Sequence, residues 1–228
     1  MKLSVVIPVF NEARTVAALV EKVRAVKLPL EKEIIIVNDG SSDGTREALA
    51  PYEDVPGVRV HHSPVNLGKG ASVRIGFSFA RGDIVVIQDA DLELDPQEYT
   101  HLIQPILDGT ADVVFGSRFL DAGRRGSLSF YLANRGLAVL TNVLYGARLT
   151  DIETCYKVFR GDVLPTLKLR ASRFEIEPEL TAQVLKRGHR LVELPIGYRP
   201  RGHDEGKKIS WKDGFAAIYT LVNQRIKS

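Results

Sequence analysis

Asp89 and Asp91 carry the strongest chemical signal in the sequence, because both follow a short apolar run, 83–87, that is typical of a buried strand. Two carboxylates at the end of a strand can both point into the crevice beside a sheet. Mg²⁺ and Mn²⁺ prefer oxygen ligands and keep positions open for phosphate, so these acids and a diphosphate make a sufficient metal site. The simpler alternative is a polar turn whose acids cap a helix that begins near Pro96. The position at a strand end favours the metal site.

Two neighbouring strand ends carry candidate nucleotide-binding residues. They are Pro8, Val9, Asn11 and Glu12 after the first strand, and Val37 and Asp39 at the end of the second. Backbone groups near Pro8, together with the Asp39 carboxylate, could face a planar nucleotide base that offers N–H donors, because an ionised carboxylate can only accept hydrogen bonds. Asn11, Glu12 and Asp43 have an alternative use, because all three are good residues for the start of a helix.

Two cations are placed to meet phosphate groups. Lys69 lies in a Gly-containing loop, 66–70, just before a predicted helix, and this loop is similar to half of a phosphate-binding loop. A solvated Lys69 in an ordinary loop is the alternative. Arg118 follows the fifth predicted strand and could bind a phosphate through two nitrogens of its guanidinium, the alternative being a surface salt bridge.

Several acids farther along the chain are candidates for a general base that would take a proton from an attacking hydroxyl. They are Asp151, Glu153, Glu175 and Glu177. The sequence does not choose among them, because Asp151 could cap a turn and the last two could favour a helix start through its dipole. Cys155 has no cysteine partner and is expected to be a small buried residue.

The elements that must position these residues alternate along the chain. Strands are predicted over 3–7, 33–37, 58–61, 83–87, 112–115 and 191–194, and helices over 11–26, 45–50, 71–80, 96–107, 128–149 and 177–186. Such alternation predicts an α/β domain with a mostly parallel sheet flanked by helices, whose binding crevice lies at the carboxyl ends of the strands. The tail from Ser210 has helical, amphipathic spacing. No segment is typical of a linker, so we expect a single domain over 1–228.

Composition limits the classes of partner and the cellular location that we expect for the protein. The formal charge of +3 is too weak to indicate nucleic acid, and the single cysteine permits no intramolecular disulfide. No stretch approaches the roughly 20 apolar residues of a spanning helix, and no secretory signal is readable. We therefore expect a cytoplasmic protein in which any membrane contact is peripheral.

Taken together, the ordered motifs resemble glycosyltransferase family 2 with a GT-A fold, and more narrowly its dolichyl-phosphate or polyprenyl-phosphate mannose or glucose synthases. The motifs are VIPVFNE at 6–12, VNDGSSDGT at 37–45, NLGKG at 66–70, QDAD at 88–91 and GSR at 116–118. The resemblance implies inverting transfer from a nucleotide diphosphate sugar such as GDP-mannose or UDP-glucose. It places the base by Pro8, Glu12 and Asp39, and the cation, Mg²⁺ or Mn²⁺, by Asp89 and Asp91. Ala90 and Glu93 adjoin the donor, and Glu93 stands where such synthases often have Gln.

The resemblance extends to the distal half. Residues 151–157 are similar to a family segment that usually has Gly and Arg where Cys155 and Lys157 stand here. Arg201 and Lys207 match a family loop that closes over the diphosphate or the acceptor phosphate. The implied division is a nucleotide-sugar half over 1–118, an acceptor side with the closing loop over 119–208, and a C-terminal amphipathic helix over 209–228.

Three functions fit these expectations. The first is sugar transfer to a polyprenyl phosphate, whose phosphate oxygen is already anionic and needs no protein base. This function implies peripheral contact with the cytoplasmic face of a membrane, or an attached membrane subunit. A soluble family 2 transferase acting on a saccharide or small hydroxylated acceptor would need one of the four acids as a base. A non-catalytic nucleotide-binding protein is the third.

Overall fold

A single mixed sheet organises the chain. The computed structural model describes residues 1–120, 128–200 and 211–227, and seven strands of those residues form the sheet. The strands are β1 (Lys2–Val9), β2 (Glu31–Asn38), β3 (Val58–His62), β4 (Ile84–Ile87), β5 (Val113–Ser117), β6 (Lys157–Arg160) and β7 (Leu191–Pro195).

The helices of the described residues lie between these strands, except the last, which follows β7, and short 3₁₀ turns stand at 50–52, 96–98 and 164–166. They are α1 (Val16–Ala25), α2 (Thr45–Leu49), α3 (Lys69–Phe79), α4 (Tyr99–Leu107), α5 (Leu128–Tyr145), α6 (Ile176–Lys186) and α7 (Trp211–Ile226). The predicted first helix, 11–26, begins later in the structure because Asn11 has a φ of 51°, in the left-handed region that a helix cannot use.

The strands follow the order β3-β2-β1-β4-β6-β5-β7. The first four in the chain are parallel, with Val5 of β1 opposite Ile34 of β2 and Val86 of β4. The part of the chain that contains β1 to β4 confirms the predicted alternation of strands and helices. The missed element is β6, a four-residue strand that lies antiparallel between β4 and β5. It was missed because four residues with a cation at each end show no clear alternation.

The direction of β6 decides where its preceding segment lies. Because β6 is antiparallel to β4 and β5, Lys157 at its start is at the edge of the sheet where β4 and β5 end. The segment 151–156 is therefore delivered to the same edge as residues 88–91 and Arg118.

The core lies on both faces of the sheet. β1, β4 and the second half of β2 are buried runs rich in Val and Ile, as expected for parallel strands covered on both sides, whereas β3 and β7 at the two ends of the strand order are only partly buried. Val6, Ile35, Val37 and Val85 form a smaller cluster that packs against Ile75, Phe77 and Phe79 of α3. Burying each such side chain stabilises the fold by roughly 1.5–3 kcal/mol.

Helices α5 and α7 pack on each other beside the sheet. The Tyr145 hydroxyl near the end of α5 donates to the Leu221 carbonyl of α7 over 2.7 Å, and the Arg225 guanidinium lies over the Tyr145 ring. Among the described residues, neither these helices nor any other is both long and apolar enough to cross a membrane.

Candidate active site

A cavity of about 450 Å³ lies at the edge of the sheet where β1, β2, β4 and β5 end. This is the position expected for a ligand site in an α/β sheet. The predicted site residues that line the cavity are Pro8, Val9, Glu12, Asp39, Lys69, Asp89, Ala90, Asp91, Glu93 and Arg118.

The turn that carries Asp89 is fixed by a buried glutamine. The Gln88 side-chain oxygen accepts from the hydroxyls of Tyr99 and Tyr156 over 2.7 and 2.8 Å, and its amide nitrogen donates to the Asp89 carbonyl over 3.0 Å. With both ends satisfied, Gln88 has one available orientation. The backbone at Asp89 is thereby held in place at the end of β4.

Asp91 lies in a strained turn. Leu92 has a φ of 63°, which a branched residue rarely adopts, and the Asp91 Oδ1 accepts from the Glu93 N–H over 3.1 Å. The alternative of a helix cap is wrong for both acids. The turn at Pro96 is capped by Asp95, whose Oδ1 accepts from the Gln97 N–H over 3.1 Å.

Lys69 lies inside a chain of alternating charges rather than in solvent. Its Nζ is 2.8 Å from the Asp89 Oδ1 and 3.1 Å from the Glu177 Oε1. The other Glu177 oxygen is 2.6 Å from the Nζ of Lys157. Burial alone would lower the pKa of Lys69, but the two carboxylates raise it well above its usual value. The alternative of a solvated Lys69 is therefore wrong.

The loop before α3 is held from two sides. The two Asp39 oxygens accept the backbone N–H groups of Leu67 and Gly68, each over 2.8 Å. A Cβ on Gly70 would lie 2.7 Å from the Ala171 carbonyl oxygen, so the first turn of α3 can approach that segment only as glycine. Each Asp39 oxygen keeps a further lone pair for a ligand.

Arg118 is committed to an internal partner. Its Nε and one terminal nitrogen lie 2.7 and 2.9 Å from the two oxygens of Asp151, a buried bidentate pair. Burial alone would lower the pKa of Arg118, but Asp151 raises it above its usual value. Asp151 occupies the Nε edge of the guanidinium, so the predicted bidentate contact with phosphate stays a prediction that would have to use the other edge. The guanidinium still lines the cavity, with the Phe130 and Tyr198 rings over it.

Two predicted nucleotide-binding residues are not among those that line the cavity. The Asn11 side-chain oxygen accepts from the Ser42 N–H over 2.9 Å and ties two loops together. Val37 is fully buried and faces the α3 layer. Asp43 has its alternative, structural role, because it accepts from the N–H groups of Ala13 and Thr45.

The four candidate general bases differ in the contacts that their carboxyl groups make. Asp151 pairs with Arg118, Glu177 pairs with two lysines, and a Glu175 oxygen accepts the backbone N–H groups at 172 and 173. Glu153 and Glu177 both line the cavity. Burial, with Glu177 nearby, raises the pKa of Glu153 to about 7. Cys155 is buried as predicted, and burial raises the pKa of its thiol well above the usual value.

Sequence reasoning missed several residues of the cavity wall because no motif surrounds them. They are Phe130, Arg173, Phe174, Tyr198 and Asp213. Burial, with Glu93 nearby, raises the pKa of Tyr198 to about 12. Arg201 and Lys207 lie outside the described residues, although Pro200 and Asp213, the cavity-lining residues nearest to that segment, stand on either side of it.

The acids of this cavity could hold a divalent cation only if a bound diphosphate supplied further oxygen ligands. The described ranges contain no group of three or more His, Cys, Asp or Glu side chains that could hold a metal. Asp89 and Asp91 supply two carboxylates, which is enough for Mg²⁺ or Mn²⁺ when a diphosphate and water complete the shell. In the structure Asp89 pairs with Lys69, so a cation bound there would share the Asp89 carboxylate with that ammonium.

Comparison with known proteins gives a consistent picture. A family model described as "Glycosyl transferase family 2" matches residues 4–166. An undecaprenyl-phosphate 4-deoxy-4-formamido-L-arabinose transferase from Aeromonas hydrophila is 29% identical over 208 residues, which cover 90% of this chain and 62% of that protein. A dolichol-phosphate mannosyltransferase from Pyrococcus furiosus is 29% identical over 229 residues, covering 97% of this chain and 64% of that protein. The chain thus spans less than two thirds of these relatives.

Solved structures share the architecture. The glucosyl-3-phosphoglycerate synthase from Mycobacterium tuberculosis, solved with Mn²⁺, uridine diphosphate and phosphoglyceric acid, superposes with a TM-score of 0.75 at 23% identity. The match covers 100% of this chain and 79% of that one. The GT-A fold predicted from the sequence is confirmed.

Proposed function

This chain belongs to glycosyl transferase family 2, and we propose that it moves a hexose, with inversion, from a nucleotide diphosphate sugar to a polyprenyl or dolichyl phosphate. The observation that carries the proposal is the cavity at the strand ends, where Asp89, Asp91 and Lys69 meet. Donors of the GDP-mannose and UDP-glucose type share the diphosphate that these groups would address.

The donor half of the proposal uses the first two strands. Pro8, Val9 and Glu12 at the end of β1, and Asp39 at the end of β2, would surround the base. Lys69 would neutralise diphosphate charge, and Ala90 and Glu93 border the same space. Asp91, with Asp89, would hold Mg²⁺ or Mn²⁺, which when bound stabilises negative charge on the leaving diphosphate.

The acceptor half explains why the acids are paired. In the proposed reaction an acceptor phosphate oxygen forms a bond to the anomeric carbon, and the bond to the diphosphate breaks with its electron pair. No proton has to leave the attacking oxygen, so no ionised base is required. This agrees with the engagement of Asp151, Glu175 and Glu177, and with the two relatives, whose names include polyprenyl phosphates. Arg201 and Lys207 would add positive charge over the phosphates.

A lipid acceptor also needs a route to a bilayer, and α5 and α7 offer one. Exposed apolar side chains recur on one face of α5 at Leu132, Val139 and Val143, and on α7 at Tyr219 and Ile226. Both helices have residues near their starts, Phe130 and Asp213, that line the cavity. We propose peripheral contact of this surface with the cytoplasmic face of a membrane, and an attached membrane subunit on the same surface is the alternative.

Flotation with vesicles tests this surface directly. Wild type is expected to float with vesicles that contain anionic lipid, and a Val143→Glu/Tyr219→Glu variant is expected to remain in the dense fraction. Wild type that stays in the dense fraction, or equal flotation of both proteins, would contradict bilayer contact.

Acceptor chemistry is tested by supplying alternatives side by side. The purified chain would be incubated with GDP-mannose or UDP-glucose, with Mg²⁺ or Mn²⁺, and with either a short-chain polyprenyl phosphate or the corresponding alcohol. Sugar on the phosphate and none on the alcohol is the expected result. Transfer only to the alcohol or to a saccharide would support the soluble-transferase alternative. Binding of the nucleotide without transfer or hydrolysis would support a non-catalytic protein.

A further inference from the structure

The turn that carries Glu153 is held rigidly on both sides. The Glu153 N–H donates to the Asp151 Oδ1 over 3.2 Å, and Asp151 is itself fixed by Arg118. The fully buried Lys157 ammonium donates to the carbonyls of Ile152 over 2.9 Å and Thr154 over 2.5 Å, the residues on either side of Glu153. The side chain of Glu153 is thus presented to the cavity by a fixed backbone.

The carboxyl of Glu153 is only partly satisfied. Its Oε1 is buried and makes no hydrogen bond within the part of the chain that the structure describes. A buried oxygen without a hydrogen bond is unfavourable. By contrast, both oxygens of the adjacent Asp151 are bound by Arg118, and the Glu177 Oε1 has the Lys69 ammonium at 3.1 Å. A group left unsatisfied at the wall of a ligand cavity is expected to find its partner in the ligand.

The surrounding charges favour the neutral form of this carboxyl. The charged groups that face it are Glu177 from α6, Lys157 from β6, Arg118 from the end of β5, and Asp151 from its own turn. Both cations are already engaged, Lys157 by Glu177 and Arg118 by Asp151. An ionised Glu153 would therefore be a third carboxylate beside two cations, in a desolvated place.

We propose that Glu153 is an acceptor-binding residue that stays protonated and donates its O–H to a phosphate oxygen of the acceptor that does not attack the sugar. The proposal rests on the proposed function, since it assumes a phosphate acceptor. A hydroxyl donor in this place recognises a phosphate monoester, whereas an ionised carboxylate would repel it. Glu153 would then recognise the acceptor phosphate, and it would not act as a base.

The proposal predicts that the affinity for the acceptor, and not the affinity for the donor, depends on pH. As pH rises through about 7, Glu153 loses its proton, and the enzyme should lose affinity for the acceptor phosphate while keeping its affinity for the donor. A phosphate monoester with a second pKa near 6 changes little over the same range, so its own titration is separable.

Glu153→Gln tests this directly, because an amide keeps a donor but cannot titrate. With the short-chain polyprenyl phosphate, the wild-type KM for the acceptor is expected to rise about tenfold from about pH 6.5 to about pH 8.5. The variant is expected to show a nearly flat acceptor KM over the same pH range. Glu153→Ala should raise the acceptor KM about tenfold at the lower pH, with the metal-dependent affinity for nucleoside diphosphate unchanged.

Two results would overturn the proposal. A loss of kcat of about a hundredfold or more in Glu153→Gln at every pH would identify a general base. A wild-type pH profile in that variant would show that Glu153 does not titrate at the acceptor. Glu21→Gln, a surface carboxylate paired with Arg24, is the matched control. If wild type fails to use polyprenyl phosphate at all, the proposed function fails first, and the variants are not needed to show it.

Discussion

Lys157 and Glu177 form a buried ion pair in which the Nζ lies 2.6 Å from the Oε2. The Lys157 side chain is fully buried and that of Glu177 is 3% exposed. Through Glu177 the pair connects to Lys69, and through Lys69 to Asp89. The turn at 151–156 and the predicted metal site are therefore joined by one line of alternating charges.

Replacing Lys157 by Met should destabilise the protein by about 3–5 kcal/mol, because it leaves Glu177 with a buried charge and removes two donors to carbonyl groups. Denaturation with urea measures the free energy of unfolding. Adding Glu177→Gln to the same chain should recover part of that loss.

The matched control for this pair is Arg24→Met, which removes an exposed pair with Glu21 and should cost less than about 1 kcal/mol. A cost in Lys157→Met as small as that of the control would contradict the buried pair.

Lys69→Met should reduce kcat/KM for the sugar donor by about tenfold to a hundredfold, the effect of losing about 1.5–3 kcal/mol from a charged hydrogen bond. Lys69→Arg keeps the charge and should recover part of the activity. Steady-state kinetics with varied donor measures both, with Lys22→Met as a control for an exposed lysine. A folded Lys69→Met enzyme with wild-type kcat/KM would remove Lys69 from the donor site.

Gly70→Ala should lower the free energy of unfolding by about 1–3 kcal/mol, because the new Cβ would lie 2.7 Å from the Ala171 carbonyl oxygen. Gly136→Ala is the opposite case. Gly136 lies within α5, and a Cβ there meets no atom within 4 Å, so alanine should stabilise by about 0.5–1 kcal/mol. Thermal unfolding of both variants checks the pair, and a Gly70→Ala protein that is as stable as wild type, or more stable, would contradict the close approach at Gly70.

Glu153→Gln should change how stability depends on pH. The pKa of Glu153 is about 7 in the folded protein against an ordinary value of 4.5, so the native state binds more protons in this range and stability falls as pH rises from about 4.5 to about 7. Gln removes that loss. Relative to wild type, the variant should gain up to about 3 kcal/mol between about pH 5 and about pH 8, at 1.36 kcal/mol per pKa unit. Urea unfolding at the two pH values measures it, and an equal difference at both would place the pKa of Glu153 near its ordinary value.

Much of the fold could be predicted because the first half of the chain obeys simple periodicity. Apolar runs separated by amphipathic spacing define β1 to β4 and their helices, and the motifs at Asp39 and Asp89 follow strand ends directly. Strand β6 could not be predicted in this way. Its four residues are placed by pairing with β4 and β5, which is a tertiary effect that a local pattern does not contain.

The candidate site was predictable where residues are close in sequence and not where they are close only in space. Asp89 and Asp91 share one turn, so their common location could be inferred. The pairing of Arg118 with Asp151, or of Lys69 with Glu177, depends on how β6 and α6 pack. Asn11 and Val37 belong to recognisable motifs, yet one braces a loop and the other fills the core.

The central claim is metal-dependent transfer to a polyprenyl phosphate, and the most direct test follows labelled sugar from the donor into the lipid phase. Wild type with Mg²⁺ or Mn²⁺ is expected to form labelled polyprenyl-phosphate sugar, and both a chelator and Asp91→Ala are expected to abolish it. Equal turnover by wild type and Asp91→Ala, or undiminished turnover with the chelator, would contradict the account.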